Sequence, residues 1–338
     1  MSFPFDPYYQ NYLTYDSITN SFADRVNYTC HLDPAFFETL KDDKQSLKQY
    51  RINAALRAKE VLGDKIALAF SGGIDSQAMV QCFLEAGIEF DLFLLTFTNN
   101  MNSQDADHAR LFAKTHNIAL HEIEIDIISF LSRDSYEICS EYKCTSPQFA
   151  SHYIMYDKIR EMGYSGICCG GTAFAKNLEG WGPTLSAAQS NYIEYSKKHS
   201  FPVLGNFLGY DPHLCWSIAL QTPAFESPWK IDLDPNHNYF GQQHLRYLAK
   251  VQGYRDTGFA IIPQETKFNG FEKVKEYFAT LYKDGWAFEK KFRHPLEKKY
   301  GKALGLLNLT AEQNEVLGRL YLQRHGSNSF AASGIAVQ

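Results

Sequence analysis

Short apolar runs alternate with longer segments of helical periodicity between residues 46 and 169. Apolar runs of about four to eight residues are typical of buried strands, and the segments between them are long enough for helices. The predicted strands are residues 66–70, 90–96, 119–125 and 166–169. The predicted helices are residues 46–64, 75–86, 103–116 and 146–162. This alternation indicates βαβ units, so we expect an α/β fold with a doubly wound, mostly parallel sheet.

The alternation fades after about residue 175, and the C-terminal half is predicted to be mostly helical. Its predicted helices are residues 213–221, 242–252, 270–286 and 310–326. We expect this half to pack against the sheet and to wall the site at the carboxyl ends of its strands. The expected division is an irregular or short-stranded N-terminal arm (1–45), the α/β domain (46–180), the mostly helical C-terminal region (181–326) and a disordered tail (327–338).

Charge and composition restrict the class of protein. The net charge is −5, which does not resemble the basic surface of a protein that binds DNA or long RNA, although a local basic patch is compatible with it. The seven cysteines, an odd number, favour reduced thiols over a disulfide framework. The N-terminus does not resemble a signal peptide, and no apolar run approaches the roughly 18 residues of a membrane span. The expected location is therefore cytoplasmic, with no membrane partner.

The sequence SGGIDS (71–76) joins the first predicted strand to the next helix. Its two glycines have no Cβ, so the chain can turn sharply and a ligand can approach the main chain. The N–H groups and the dipole of the following helix favour an anion such as phosphate. Ser71 and Ser76 add hydroxyl donors, and Asp75 can cap the helix or help to hold Mg²⁺. The alternative is a purely structural turn, but the position after the first strand of a βαβ pattern favours a phosphate site.

The same stretch resembles the pyrophosphate loop (PP-loop) of the N-type ATP pyrophosphatases, which have an adenine nucleotide alpha-hydrolase-like (HUP-type) fold. The resemblance extends over about residues 47–175. It implies that ATP, with Mg²⁺, is cleaved between its α and β phosphates while a carboxylate or carbonyl oxygen is adenylated. Pre-aligned N–H groups would stabilise the charge on the leaving pyrophosphate. By this resemblance, the residues that hold the nucleotide here are Ala69, Ser71, Gly72, Gly73, Asp75 and Ser76.

Two further segments resemble parts of the asparagine synthetase and 7-cyano-7-deazaguanine synthase branch. The end of the second strand lies near adenine in those enzymes, which makes Thr96, Phe97 and Thr98 candidates for lining the base. The loop CCGGTAFAKNLEGWG (168–182) resembles the second conserved loop of the family, which faces the nucleotide and the activated substrate.

In this second loop, the resemblance places Gly170, Gly171 and Thr172 beside the α-phosphate. Lys176 is a candidate to contact phosphate as a catalytic residue, and Glu179 is a candidate Mg²⁺ ligand together with Asp75. The alternative for Lys176 and Glu179 is that they are solvated loop charges.

Asparagine synthetases also carry a late lysine that reaches the phosphates. Lys267 is the candidate for that role, with Arg293 in reserve, and the alternative for both is a basic surface on a helical region. The expected catalytic residues are therefore Asp75, Lys176 and Lys267.

The cysteines argue against sulfur transfer and against a late zinc cluster of four cysteines. Cys168 and Cys169 are consecutive on a predicted strand, so their side chains should point to opposite faces. Cys30, Cys139 and Cys144 could bind zinc with a histidine, but they lack the usual ligand spacing, and buried apolar cysteines are the alternative.

The first functional hypothesis is a carbon–nitrogen ligase of the asparagine synthase-like branch that adenylates a small carboxylate. Residues 1–65 are too few for a glutaminase domain, so the nitrogen is expected from free ammonia, an amine substrate or a separate glutaminase. One alternative is an enzyme that modifies a nucleobase, free or in tRNA, by deazaguanine or thiolation chemistry. Another is a non-catalytic nucleotide-binding protein. A homodimer is left open.

Overall fold

The computed structural model describes most of the chain. The described residues are 13–21, 25–42, 46–171, 175–177, 180–182, 187–221, 239–264, 271–300, 304–308 and 310–325. Thr172, Glu179, Lys267 and the predicted tail lie outside these ranges. Of Lys176 only the backbone position is described.

Ten strands lie within the described ranges. In chain order they are β1 (Leu13–Ser21), β2 (Arg25–Leu32), β3 (Ile66–Ala69), β4 (Asp91–Phe97), β5 (Leu120–Ile125), β6 (Gly166–Cys169), β7 (Ala175–Asn177), β8 (Gly180–Gly182), β9 (Val203–Leu204) and β10 (Leu304–Asn308). The central sheet has the order β5-β4-β3-β6-β9, and all its pairs are parallel.

Helices connect these strands and cover both faces of the central sheet. In chain order they are α1 (Pro34–Asp42), α2 (Leu47–Leu62), α3 (Ile74–Glu85), α4 (Ser103–His116), α5 (Ile127–Ser129), α6 (Ser135–Glu141), α7 (Pro147–Glu161), α8 (Ala187–His199), α9 (Phe207–Tyr210), α10 (Pro212–Gln221), α11 (Tyr239–Asp256), α12 (Glu272–Tyr282), α13 (His294–Tyr300) and α14 (Ala311–His325). Shorter helical turns are Thr98–Asn100, Phe130–Asp134 and Glu289–Arg293.

The central sheet separates two hydrophobic clusters. Leu68 and Cys168 pack in the cluster that contains α2, α3 and α4. Ala67 lies in the other cluster, which contains α7, α8 and α12, and Cys169 packs against it. The predicted opposite orientation of Cys168 and Cys169 is therefore confirmed, and so is the doubly wound α/β fold. Strands covered on both faces are typical of parallel sheets, and they explain why the predicted strands are continuous apolar runs.

The remaining elements differ from the pattern that the sequence suggested. Where an irregular or short-stranded arm is expected, β1 and β2 form an antiparallel pair, and β10 pairs with β2 in parallel. The fifth strand of the central sheet, β9, comes after residue 180, so the division of the chain at that position stays a prediction. Among the helices described, none combines the length and apolar character that crossing a bilayer requires.

Candidate functional site

A cavity of about 400 Å³ lies at the carboxyl ends of β3, β4 and β6. Parallel α/β sheets bind their ligands at this edge. The cavity brings together seven of the residues that the sequence predicted for the site. They are Ala69, Ser71, Asp75, Ser76, Phe97, Gly170 and Gly171.

Gly72 and Gly73 are glycines for different structural reasons. Gly72 has a φ of +76°, and a Cβ there would lie 2.8 Å from the backbone nitrogen of Ala109 on α4. Gly73 has an ordinary φ of −64°, and a Cβ there would meet only the hydroxyls of Ser71 at 3.3 Å and Ser76 at 4.0 Å. Gly72 is therefore required by backbone conformation and packing, whereas a side chain at Gly73 would crowd the hydroxyl of Ser71.

We call the group formed by Gly73, Ser71 and Ser76 at the first turn of α3 the anion site. The Ser71 and Ser76 Oγ atoms are 3.3 Å apart, and Ser76 Oγ donates to the Gly73 carbonyl at 2.8 Å. Gln77 Nε2 donates to the carbonyl of Gly72 at 2.8 Å. The shape of the loop is thus held by its own side chains before any ligand binds. The N-terminus of a helix of this length favours the binding of an anion.

Asp75 is held by two residues of α11. Lys250 Nζ lies 2.7 Å from Oδ1 and 2.8 Å from Oδ2 of Asp75, and the Tyr254 hydroxyl donates to Oδ1. Burial, with a further contribution from Asp75, raises the pKa of Tyr254 well above its ordinary value, so this hydroxyl remains a donor at neutral pH. Sequence reasoning missed both residues, since the helical pattern of 242–252 does not show which distant loop it contacts.

Within the part of the chain that the structure describes, the ligands expected for Mg²⁺ do not form a site. Both carboxylate oxygens of Asp75 are engaged by Lys250 and Tyr254, and Glu179 lies outside the described residues. No group of three or more His, Cys, Asp or Glu side chains suited to a metal occurs among the described residues. Asp75 as arranged here does not fit the role of a free metal ligand, and a Mg²⁺ site stays a prediction.

The glycines that end β6 pack against neighbouring backbone as well as lining the cavity. A Cβ on Gly170 would lie 2.8 Å from the backbone nitrogen of Ser76. Gly171 has a φ of +66°, and its Cβ would lie 2.0 Å from Oδ1 of Asn206. The close approach of β6 to the start of α3 therefore explains why residue 170 is a glycine. The contact with Asn206 explains why residue 171 is a glycine. Lys176 lies beyond them on β7, opposite Trp181 of β8.

The other residues predicted near the nucleotide are placed differently. Thr96 is buried, with its hydroxyl 3.5 Å from the carbonyl oxygen of Ile123, and neither Thr96 nor Thr98 lines the cavity. Arg293, the reserve for the late lysine, pairs with Glu297 at 2.7 Å and does not line the cavity.

The N-terminal half of α7 forms a wall of the cavity that sequence reasoning did not identify. Its lining residues are Gln148, Phe149, Ser151, His152 and Met155. Their spacing is that of one helix face, which is the signal that could have selected them once the helix was known to pack over the site. Burial lowers the pKa of His152 to about 4, so its imidazole is uncharged at neutral pH.

The cysteines of the described residues are free and mostly buried. The thiol of Cys144 donates to the carbonyl of Ser146 at 3.1 Å, and Cys139 is fully buried. The side chain of Cys30 lies outside the described residues. Cys139 and Cys144 thus behave as small buried side chains.

Neither protein-family models nor curated proteins give a match to this sequence. Among solved structures, NMN synthetase from Francisella tularensis aligns at 12% identity and a TM-score of 0.37, over 87% of this chain and 99% of that one. NH3-dependent NAD synthetase from Campylobacter jejuni aligns at 16% identity and a TM-score of 0.27, over 37% and 56%. The U34-tRNA thiolase NcsA from Methanococcus maripaludis aligns at 14% identity and a TM-score of 0.33, over 86% and 82%. Similarities at this level assign neither a family nor a function to this chain.

Proposed function

We propose that this protein is an ATP-dependent enzyme that transfers AMP to an acceptor oxygen and releases pyrophosphate. The observation that carries the proposal is the anion site, where the hydroxyls of Ser71 and Ser76 lie together at the N-terminus of α3 and both residues line the cavity. The site opens into a cavity at the carboxyl edge of a parallel sheet, where a nucleotide can extend away from its phosphates.

In the proposed reaction, an acceptor oxygen attacks the α-phosphorus of ATP. The bond from that phosphorus to the bridging oxygen of the β-phosphate breaks, and the electron pair leaves with pyrophosphate. Negative charge therefore grows on the β-phosphate, where the N–H groups of α3 and the hydroxyls of Ser71 and Ser76 can stabilise it. The ammonium group of Lys250 offsets the carboxylate of Asp75, which would otherwise repel the phosphates. ATP enters as its Mg²⁺ complex, and we assign no step to the ion.

We further propose that the acceptor is a small carboxylate, as in the asparagine synthase-like branch. The nitrogen of ammonia or an amine then attacks the carbonyl carbon of the acyl adenylate, AMP leaves, and the nitrogen loses a proton. The nitrogen source would be free ammonia, an amine or a separate glutaminase, and formation of a homodimer stays a prediction.

The test measures AMP and pyrophosphate after incubation with MgATP, a panel of small carboxylic acids, and ammonium or an amine. We expect AMP and pyrophosphate in equal amounts with at least one acid, and a loss of both in the Gly73→Ala variant. Tight ATP binding without AMP for any acceptor would favour the non-catalytic nucleotide-binding protein. Products that are ADP and phosphate would overturn the proposal.

One surface favours a second candidate, in which the acceptor is a nucleobase of tRNA. Residues 271–300 contain more Lys and Arg than Asp and Glu, although the whole chain has a net charge of −5. Tyr282 and Trp286 are 46% and 68% exposed, and Lys291 Nζ lies 4.4 Å from the Tyr282 ring centroid. Exposed aromatic rings beside lysines are suited to stacking with unpaired bases. Phe271, at the start of this segment, lines the cavity.

Binding of bulk tRNA at several salt concentrations distinguishes this candidate from the first. If the protein acts on tRNA, its affinity for tRNA should fall with salt and drop in Trp286→Ala, while Leu111→Ala on α4, at another residue that is 52% exposed, is the control. Equal affinities for wild type and Trp286→Ala would remove the support that this surface gives.

A further inference from the structure

Two cysteines meet where α6 ends and the chain turns into α7. Cys139 and Cys144 are both fully buried. The backbone N–H of Cys144 donates to the carbonyl of Cys139 at 2.8 Å, and Lys143 between them has a φ of +51°. This is the Schellman arrangement of a helix C-terminus, in which the side chains at these two positions come into contact. Local backbone structure therefore brings the two cysteines together.

The two thiol groups face each other. The thiol of Cys139 hydrogen-bonds to Sγ of Cys144, which in turn donates to the carbonyl of Ser146 at 3.1 Å. A disulfide requires two side chains that point toward each other, and thiols joined by a hydrogen bond meet this condition. A bond between the two sulfurs can therefore form while α6 and α7 stay folded.

The surroundings make the two thiols unequal in reactivity. The hydrogen bond to Cys144, together with burial, raises the pKa of Cys139. Burial opposes ionisation of Cys144, but its hydrogen bonds, first of all the one from Cys139, lower the pKa of this thiol. The thiolate is the nucleophilic form of cysteine, so Cys144 is suited to attack first and Cys139 to act second.

A small reagent can reach the pair although neither thiol is exposed. Glu141 and Lys143, which lie between the two cysteines in the chain, are exposed, and α6 has only seven residues. The end of a short surface helix opens locally at a lower cost than unfolding of the whole protein. The thiols thus lie one layer beneath a segment that can open.

We infer that Cys139 and Cys144 form a modification site, at which a small disulfide oxidises the pair to a reversible intramolecular disulfide. The Cys144 thiolate attacks one sulfur of the small disulfide, the bond between its two sulfurs breaks, and one small thiolate leaves. The sulfur of Cys139 then attacks Sγ of Cys144 and displaces the second small thiolate. The two protons of the cysteines end on the two released thiols, so one disulfide is formed and one is reduced.

The new bond would tie the end of α6 to the start of α7. The residues that follow in α7 include Gln148 and Phe149, which line the cavity. A cross-link between two parts of the chain restrains the unfolded state and so stabilises the folded one. We therefore expect oxidised wild type to melt at a higher temperature than the reduced protein, and dithiothreitol to reverse the change. A lower melting temperature after oxidation would overturn the inference that the native geometry accommodates the bond.

The direct test treats the folded full-length protein with an excess of 2-hydroxyethyl disulfide, which is small and uncharged. Wild type should lose two of its seven thiols. Trypsin cuts after Lys143, so residues 134–143 and 144–158 form separate peptides with one cysteine each. The disulfide should join them in one species that is lighter by two hydrogen atoms than their sum and that dithiothreitol separates.

The variants Cys139→Ala and Cys144→Ala should each abolish the linked peptide. Cys82→Ala, which removes a buried cysteine of α3, is the control and should retain it. The inference is overturned if wild type with excess reagent forms no linked peptide, whether or not Cys169 in the cavity wall reacts. A linked peptide that forms only after urea has unfolded the protein would also overturn it.

Discussion

Lys250 Nζ lies 2.7 Å from Oδ1 of Asp75, and this ion pair joins α11 to the first turn of α3. The two side chains are 23% and 27% exposed, so water screens the pair only in part. A carboxylate in the first turn of α3 stabilises the helix but repels a phosphate bound at the same helix end. The pair therefore lets the loop keep Asp75 while reducing the negative charge beside the anion site.

Removing the partner of Asp75 should weaken nucleotide binding. We expect Lys250→Met to raise the Kd for ATP about tenfold, because the charge of Asp75 is then uncompensated beside the phosphates. Asp75→Asn in the same chain should recover at least half of that loss. Lys290→Met, which removes a lysine paired with Asp284 on the surface, is the matched control. Losses that simply add in the double variant would mean that Asp75 itself acts on the nucleotide or its metal ion.

Substitutions at the two loop glycines should affect stability and ATP binding separately. Gly73→Ala should lower the stability by less than about 1 kcal/mol, because alanine adopts its φ freely and only a weak N-cap is changed. It should weaken ATP binding at least about thirtyfold, since the methyl group would lie beside the hydroxyls of Ser71 and Ser76, where the phosphates are proposed to bind. Calorimetry and chemical denaturation measure the two effects on the same sample.

Gly72→Ala should do the reverse. A positive φ costs alanine about 1–2 kcal/mol, and the new methyl group also meets the backbone of Ala109. We expect the free energy of unfolding to fall by about 2 kcal/mol or more. If Gly73→Ala bound ATP as well as wild type, the anion site would be wrongly placed.

The central sheet and its loop could be predicted because their signals are local. Ser103–His116 and Gly166–Cys169 were predicted at their observed bounds, since caps, glycines and apolar runs lie within the elements themselves. The buried face of α4, with Ala106, Ala109 and Ala113, also follows from helical spacing. The position of the loop at the carboxyl edge then follows from the βαβ order.

The contacts that complete the site could not be predicted, because they join residues far apart in the chain. Lys250 and Asp75 are 175 positions apart, and periodicity on α11 does not reveal which loop it covers. The two residues of β9 are too few to show a pattern, and β10 forms a sheet only with β2 among the described strands. Gly170 and Gly171 were also expected to lie beside a phosphate. Their surroundings give a packing reason for glycine instead, since a Cβ at either position would clash with neighbouring atoms.

Two glutamines of α3 hold the segment that follows α11. Gln77 donates through Nε2 to the carbonyl of Ile262 and accepts from its N–H, both at 2.9 Å. Gln81 makes the same pair of bonds to Ala260, at 2.9 and 2.8 Å. Each side-chain amide thus makes the pair of backbone hydrogen bonds that a neighbouring strand would make. Together the two glutamines fix the chain beyond Tyr254 against α3.

Replacing Gln77 should destabilise the protein strongly. Gln77→Leu leaves the N–H and carbonyl of Ile262 and the carbonyl of Gly72 without this partner, at about 1–3 kcal/mol for each group that stays unsatisfied. We expect the free energy of unfolding to fall by at least about 2 kcal/mol and the ATP Kd to rise, since the loop loses a support. Gln49→Leu removes an exposed glutamine and is the control. Equal stability of the two variants would contradict the role of Gln77.

His152 should make the protein sensitive to mild acid. Its pKa is about 4 in the folded protein and about 6.5 when unfolded, so between these values the unfolded chain binds more protons. Stability therefore falls as pH decreases from about 6.5 to about 4, by at most about 3 kcal/mol for a shift of this size. We expect denaturation at pH 7 and pH 4.5 to show a smaller difference for His152→Phe than for wild type. His294→Gln, at an exposed histidine, is the control. Equal acid sensitivity of wild type and His152→Phe would show that His152 is protonated in the folded protein as readily as in the unfolded chain.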